Sequence, residues 1–321
     1  MTPIADGSEL RLGTRGSALA LTQSRWVADR IRARGTPTEM VVVRTTGDRM
    51  QDRPLPEIGG KGLFTKELDR ALLDHDIDLA VHSLKDLPTE SEAGLVVAAI
   101  PVREDPRDVL ITRTGASGGL ASLPENARVG TSSLRRQALA LAFRPDLEVV
   151  PIRGNLDTRI RKVDDGEYDA IVVAGAGVKR LGWSERIAEW LELTAWLPAP
   201  GQGALGIVTR ADDEEVRRLL MELEHGDSRI AVAAERSLLG TLEGGCRVPV
   251  AALGLPYAHG LRLWGLVASP DGRRAVRADR TGDSAEPEEL GRRVAEVLLE
   301  RGAGEILDEV RAGPDPPIAA P

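Results

Sequence analysis

Short β-branched runs alternate with amphipathic helical stretches across the first two-thirds of the chain, and no other feature restricts the fold as much. Strands are predicted at residues 11–13, 40–45, 78–82, 95–100, 109–112, 128–130, 148–152, 169–174 and 204–209. Between them, Leu63, Phe64, Leu68, Leu72 and Leu73 share one face of a helix whose other face carries Lys66, Glu67, Asp69 and Arg70. Trp26, Val27 and Ile31 do the same within residues 17–34. This alternation predicts an α/β architecture with mainly parallel strand pairing. Two Pro-rich segments, Pro101-Val-Arg-Glu-Asp-Pro106 and Trp196-Leu-Pro-Ala-Pro-Gly201, read as crossings between lobes, one lobe being inserted into the other.

Past about residue 227 the pattern changes. Helical stretches at 228–242 and 287–301 flank a segment, 251–280, that reads as β-hairpins, so a smaller α+β domain is expected there. The expected division is domain 1 at 1–102 and 201–224, domain 2 at 103–200, domain 3 at 225–311, and a flexible tail at 312–321. The tail, rich in Pro, Gly and Ala, has no periodicity.

Composition excludes several functions. Lys plus Arg number 42 against 50 Asp plus Glu, a net charge of −8, and only 3% of residues are aromatic. That balance argues against a general nucleic-acid surface. No run approaches the ~20 apolar residues of a membrane span, and no basic segment followed by an apolar one marks a secretory signal; a cytoplasmic soluble protein is expected. The single cysteine, Cys246, excludes an intrachain disulfide. Four histidines without ligand spacing predict no metal site.

Three glycine-rich stretches suggest nucleotide binding and fail on detail. Gly59-Gly-Lys-Gly62 lacks the hydroxyl residue a P-loop needs after its lysine. Gly201-Gln-Gly-Ala-Leu-Gly206 runs into a strand instead of opening a helix, and Gly175-Ala-Gly177 has Arg180 where a third glycine belongs.

Arginine placement is more informative. Residues 131–162 hold seven basic side chains (Arg135, Arg136, Arg144, Arg153, Arg159, Arg161, Lys162) against Asp146, Glu148 and Asp157. Arg135 and Arg136 follow Gly130-Thr-Ser-Ser133 after one strand, and Arg153 precedes Gly154-Asn155 after another; Arg15 follows the first strand. Ligands bind open α/β sheets at such strand ends. Helix N-termini there, with Thr131, Ser132 or Asn155 as caps, offer N–H groups to anions, and guanidinium forks suit carboxylates or phosphates. A solvated surface is the alternative for any single one of these arginines. Asp86, in Val81-His-Ser-Leu-Lys-Asp-Leu-Pro88, is a candidate for stabilising a cation or moving a proton, though a turn aspartate would look the same. His82 is expected to be a hydrogen-bonded structural histidine. Cys246, in Gly244-Gly-Cys-Arg-Val-Pro249, sits between glycines and a cation, which favours a thiolate; a buried, inert cysteine is the other reading.

Together these stretches resemble the porphobilinogen deaminase (hydroxymethylbilane synthase) family over nearly the whole chain. The similarity runs through Arg11-Leu-Gly-Thr-Arg-Gly-Ser17, Thr45-Thr-Gly-Asp48, Gly59-Gly-Lys-Gly-Leu-Phe-Thr-Lys-Glu-Leu68, Ala80-Val-His-Ser-Leu-Lys-Asp-Leu-Pro88 and Gly130-Thr-Ser-Ser-Leu-Arg-Arg-Gln137. It continues through Ile152-Arg-Gly-Asn-Leu-Asp-Thr-Arg159, Val178-Lys-Arg-Leu181, Pro200-Gly-Gln-Gly203 and Gly244-Gly-Cys-Arg-Val-Pro249. The resemblance implies two periplasmic-binding-protein-like lobes with a cleft between them and a third, smaller α+β domain. It implies a dipyrromethane cofactor joined to Cys246 by a thioether, onto which four porphobilinogen units are polymerised with loss of ammonia before hydrolysis releases hydroxymethylbilane. By the same resemblance Asp86 is catalytic. Arg15, Ser83, Lys85, Thr131, Ser133, Arg135, Arg136, Arg153, Gly154, Arg159, Arg180 and Gln202 bind cofactor or substrate, no metal or nucleic acid takes part, and a monomer is expected. Two rivals stay open on the residues alone: a non-enzymatic anion-binding protein, and a thiol redox enzyme.

Overall fold

The computed structural model describes residues 9–44, 65–113, 118–242 and 248–313. They fall into two compact units, Met1–Glu104 with Ala204–Arg229 and Asp105–Gly203 with Ile230–Pro321.

In the first unit β1 (Leu10–Thr14), β2 (Thr38–Val42), β3 (Leu79–Ser83), β4 (Leu95–Ala99) and β10 (Leu205–Arg210) form one sheet in the order β2-β1-β3-β10-β4. Helix α1 (Ala18–Arg32) starts at Ser17, whose hydroxyl accepts the Ala20 N–H at 3.3 Å, and buries Val27, Ala28 and Ile31. Those side chains join Leu10, Leu12, Leu79, Val81, Leu205 and Ile207 in one core. Helix α2 (Lys66–Leu73) buries Leu68 and Leu72, but Leu73, expected on the same face, is 40% exposed. It is the last residue of the helix, where the next turn no longer covers it. Residues 63 and 64 of that face lie outside the described residues. Helix α6 (Glu214–Met221) packs beside β4.

The second unit repeats the plan. Strands β5 (Asp108–Thr112), β6 (Arg128–Gly130), β7 (Glu148–Val150), β8 (Ala170–Ala174) and β9 (Glu189–Trp190) take the order β7-β6-β8-β5-β9, with helices α3 (Leu134–Phe143), α4 (Leu156–Asp164) and α5 (Gly175–Arg180) in the connections. In both sheets the first three strands of the order are parallel and the next two pairings antiparallel. This corrects the expectation of mainly parallel pairing. The reversal comes from β10 and β5, each of which enters its sheet directly after a crossing from the other unit. Each unit thus holds one mixed five-stranded sheet with helices in its connections.

A three-stranded antiparallel meander, β11 (Val250–Tyr257), β12 (Gly260–Ala268) and β13 (Ala275–Gly282), completes the second unit with helices α7 (Gly226–Thr241), α8 (Pro287–Glu300) and α9 (Ala303–Ala312). One face of the meander packs with α8 and α9 through Leu261, Leu263, Val294, Leu298 and Ile306. Ala251, Leu253, Leu266 and Ala268 instead enter the same core as Leu110, Val129, Ala138 and Leu139 of the second lobe. Burying an aliphatic side chain is worth roughly 1.5–3 kcal/mol, so the shared core binds the meander firmly to that lobe. The chain passes between units at Glu104/Asp105 and Gly203/Ala204, and a third time inside α7, between Arg229 and Ile230.

Candidate functional site

In the first unit, β1 and β3 are parallel neighbours, so their C-terminal ends leave the same edge of the sheet. That edge brings Arg15 together with Ser83, Lys85 and Asp86. The Ser83 hydroxyl accepts a hydrogen bond from Gln23 Nε2 at 3.0 Å. After it, Leu84 donates its N–H to Ala204 O (3.0 Å), and a tight 3-10 turn over Leu84–Asp86 closes with Leu87 N–H to Leu84 O (3.1 Å). Leu84 and Leu87 are buried, which turns Asp86 outward: it is exposed, while Lys85 and Arg15 are half-buried. A carboxylate held on a rigid turn and left to solvent can meet a cation or a proton arriving with a ligand.

His82, one residue before Ser83, differs from expectation. It is buried, yet its Nε2 finds no hydrogen-bond partner. Burial, with a smaller contribution from the Arg15 charge, pushes its pKa down to about 4, so the ring is neutral at physiological pH.

The second unit presents a corresponding edge, made by the C-terminal ends of β6, β7 and β8 and the start of β5, which runs antiparallel to β8. At its centre lies Asp108, a residue the sequence reading passed over. Asp108 is 0% exposed. Its Oδ2 accepts from Arg135 Nη1 (2.7 Å) and Trp196 Nε1 (3.0 Å), and its Oδ1 from Arg136 Nη2 (2.8 Å), Arg136 Nε (3.1 Å) and Gln202 Nε2 (2.8 Å). Desolvation alone would raise the carboxyl pKa, but the two guanidinium charges and their hydrogen bonds outweigh it and hold Asp108 well below the usual carboxylate range. The remaining donors of Arg136 go to Val172 O and Gln202 Oε1, while Arg135 also bonds Leu197 O at 2.8 Å. Arg135 and Arg136 are therefore buried parts of a network and not the open forks that the sequence suggested. Their signal was available: two adjacent arginines after a strand need a counter-charge, and Asp108 opens an apolar strand.

Two cations and one anion leave this buried network with one surplus positive charge. Arg135 Nε, also buried, has no hydrogen-bond partner. Around the network stand the other sequence candidates. Arg153, half-buried, has its pKa lowered by desolvation with no carboxylate opposing it. Arg159 Nε donates to Gly154 O at 2.8 Å; Gly154 has φ +103, and a Cβ there would press on Thr158 at 2.8 Å. Arg180 Nη2 donates to Gly203 O at 2.7 Å.

Capping also differs from expectation. Ser133, not Thr131 or Ser132, caps α3, accepting the Arg136 N–H at 3.4 Å; Thr131 is buried and its hydroxyl accepts the Ser133 N–H at 3.2 Å. Ser132 instead donates to Ile152 O (2.7 Å), and Asn155 caps α4 without a side-chain bond. The charge excess of residues 131–162 is smaller than the segment count implied, because acids outside it pair with its cations: Asp108 with Arg135 and Arg136, and Glu167 with Lys162 at 3.4 Å. Arg144 and Arg161 are taken by Asp146 and Asp157 within it. Among the described residues, none of these carboxylates opposes Arg153.

Cys246, with Arg247, and the stretches 45–48 and 59–62 lie outside the described residues. Among the described residues, no cluster of His, Cys, Asp or Glu could hold a metal ion, and no helix is long and apolar enough to cross a membrane.

Comparison with known proteins gives this arrangement its family. The chain matches the model of the porphobilinogen deaminase dipyrromethane cofactor binding domain over residues 10–218 and that of the porphobilinogen deaminase C-terminal domain over residues 229–300. It is 54% identical over 307 residues to the porphobilinogen deaminase of Desulforudis audaxviator, covering 95% of this chain and 99% of that one. To the porphobilinogen deaminase of Syntrophobacter fumaroxidans it is 51% identical over 303 residues, covering 94% and 97%. The solved BvgS VFT2 domain of Bordetella pertussis matches at TM-score 0.42 and 17% identity, over 67% of this chain and 86% of that one. On the family models and on identities near one-half across nearly its full length, this chain belongs to the porphobilinogen deaminase family.

Proposed function

We propose that the chain polymerises porphobilinogen on a primer held by Cys246, with Asp86 managing charge and protons and the arginines of the second unit holding the carboxylates. The observation that carries this reading is the unbalanced positive charge at the second sheet edge: a buried network with a surplus charge, and Arg153 with no acid beside it. Each porphobilinogen brings an acetate and a propionate. Gathering several of these in one site raises mutual repulsion that fixed guanidinium groups offset.

A dipyrromethane fits this donor set, since its acid side chains would meet Arg153, Arg159 and the Nε–H of Arg135, the last of which has no hydrogen-bond partner. Bound through a thioether to Cys246, it supplies the pyrrole α-carbon to which incoming units are joined. In each addition the C–N bond of the substrate's aminomethyl group breaks and ammonia leaves. A C–C bond would form to the primer's terminal α-carbon, which would give up its proton. Asp86 holds the pyrrole N–H of the substrate as positive charge develops on it, and accepts or relays the departing proton. Its exposure and the rigid turn beneath it support that role, because a preformed anion stabilises charge that exists only during the reaction. Arg15, Lys85 and Arg180 add positive potential, and Ser83, Thr131, Ser133, Gly154 and Gln202 supply or position neutral contacts. Arg136, with its fork turned to Asp108 and Gln202, acts by holding the network in shape. The three-domain division at 1–102 with 201–224, 103–200 and 225–311 belongs to this reading, as do a cytoplasmic location and a monomeric state.

The test is substitution of Arg153 by Leu with turnover measured across porphobilinogen concentration. Loss of a charge-assisted hydrogen bond, about 1.5–3 kcal/mol, should raise KM by roughly 10- to 100-fold. An unchanged KM in the folded variant would remove the carboxylate-binding role.

A further inference from the structure

The segment Trp196-Leu-Pro-Ala-Pro-Gly-Gln-Gly203 reads in sequence as a crossing, and crossings are commonly hinges. The structure shows something different within the second unit. Leu197 O accepts from Arg135 Nη1 (2.8 Å), and Pro198 O from the Ala252 N–H of β11 (3.0 Å). The Gly201 N–H donates to Glu235 Oε2 at 2.7 Å. The Gln202 amide reaches Pro106 O (2.7 Å) and Asp108 (2.8 Å), and Gly203 O accepts from Arg180 (2.7 Å). Gln202 is 0% exposed. Nearly every residue of the segment is tied down.

Glu235 is the tie that reaches farthest. It lies on α7, is 0% exposed, and its second oxygen, Oε1, accepts the Gly254 N–H of β11 at 2.8 Å. One buried carboxylate thus joins the segment to the meander. Both partners are glycines for geometric reasons: Gly201 has φ +74, and a Cβ on Gly254 would meet Ala231 O at 2.7 Å. An amide could not replace the carboxylate, because it offers one acceptor oxygen and would turn its NH2 towards the other N–H.

We propose that Glu235 is a positioning residue: by holding the Gly201 N–H it keeps residues 197–203 in the register that places Gln202 on Asp108, and so keeps the network, with Arg136 bracing it, in the shape that turns Arg135 towards the substrate carboxylates. Its catalytic consequence rests on the deaminase reading, whereas its structural content does not.

The experiment compares Glu235→Gln with the wild-type full-length holoenzyme, using amide hydrogen exchange and the indole N–H resonances of the five tryptophans. The Trp196 signal, assigned through Trp196→Phe, reports Asp108 directly, since its Nε1 donates to Oδ2. The expected result is a displaced Trp196 resonance, exchange at Gly201 and Gln202 faster by about tenfold or more, and an unmoved Trp26 resonance. KM for porphobilinogen should rise more than kcat falls, because carboxylate contacts remote from the bond being made bind ground and transition states alike. A folded variant with wild-type Trp196 resonance and Gly201 exchange overturns the proposal. A displaced resonance with unchanged KM overturns the link to the substrate carboxylates and counts against the arginine assignment, while the tie through Gly201 stands. Should Glu235→Gln not fold, Gln202→Met leaves Glu235 in place. It should displace the Trp196 resonance and raise KM with Gly201 exchange still slow, and an unmoved resonance there overturns the proposal equally.

Discussion

Replacing Asp108 by Asn tests the buried network most severely. The substitution keeps the shape and removes the one negative charge facing two guanidiniums that are 3% and 7% exposed. Neither arginine can regain water without opening the lobe, so each keeps its charge in a poorly solvated place. Removing one partner of a buried ion pair costs about 3–5 kcal/mol, against a total stability of roughly 5–15 kcal/mol. At about 2–4 °C per kcal/mol for a unit of this size, the second unit should melt roughly 6–20 °C lower. The pH dependence adds an independent signature. Because the folded pKa of Asp108 is depressed, its contribution is fully present above the unfolded value of 3.8 and is lost as pH falls through the lower folded value. The gap between wild type and variant should therefore be constant from pH 5 to 8 and narrow below pH 4 by up to about 1.4 kcal/mol per unit. Urea unfolding followed by tryptophan emission, repeated at several pH values, measures both. A folded variant within 1 kcal/mol of wild type, with no narrowing in acid, would refute the assignment of Asp108 as counter-charge.

Other expectations can be checked separately. Asp86→Asn should keep the fold and the bound cofactor but lose turnover by at least ~10²-fold, as positioned acid–base and electrostatic groups do; stopped-flow ammonia release reads it, and near-normal turnover refutes the role. Cys246→Ser should yield protein whose intact mass equals that of the bare chain, since a hydroxyl of high pKa is a poor nucleophile; a modified serine variant would contradict the attachment site. His82, with its pKa pushed down to about 4, should show no ring titration between pH 5 and 8 by NMR. Because the unfolded ring takes up its proton first, near 6.5, stability from this residue should fall as pH drops from there towards 4.

Much of the fold was legible because period and composition agree. The alternation placed nearly all the strands within a residue or two of where they occur, and the meander and its flanking helices were visible from a change of pattern. Strand direction was not: the Pro-rich segments before residues 108–112 and 205–210 mark a crossing, but nothing in them says which way the next strand runs in its sheet. The brief β9, only Glu189–Trp190, is too short to carry a period. At the site, charged residues after strands could be named, but a single sequence does not say whether an arginine faces solvent or an acid such as Asp108, which is many residues distant. Arg144, Arg161 and Lys162 looked like Arg153 in sequence and are separated from it only by the carboxylates that the fold brings beside them. Glu235 carried no visible signal either. On a helical pattern it resembles a solvated acid until the turn at Gly201 and the strand at Gly254 are brought against it.

A growing chain of acidic pyrroles tethered to Cys246 is the species on which the whole proposed reaction depends. Intact-mass spectrometry of the holoenzyme mixed with limiting porphobilinogen, followed by mapping of the peptide that spans residue 246, tests that directly. The expected result is a ladder of equal pyrrole increments on that one peptide, ending at the fourth and collapsing back to the primer as product leaves. A single unchanging mass, or increments carried by any other residue, would contradict it.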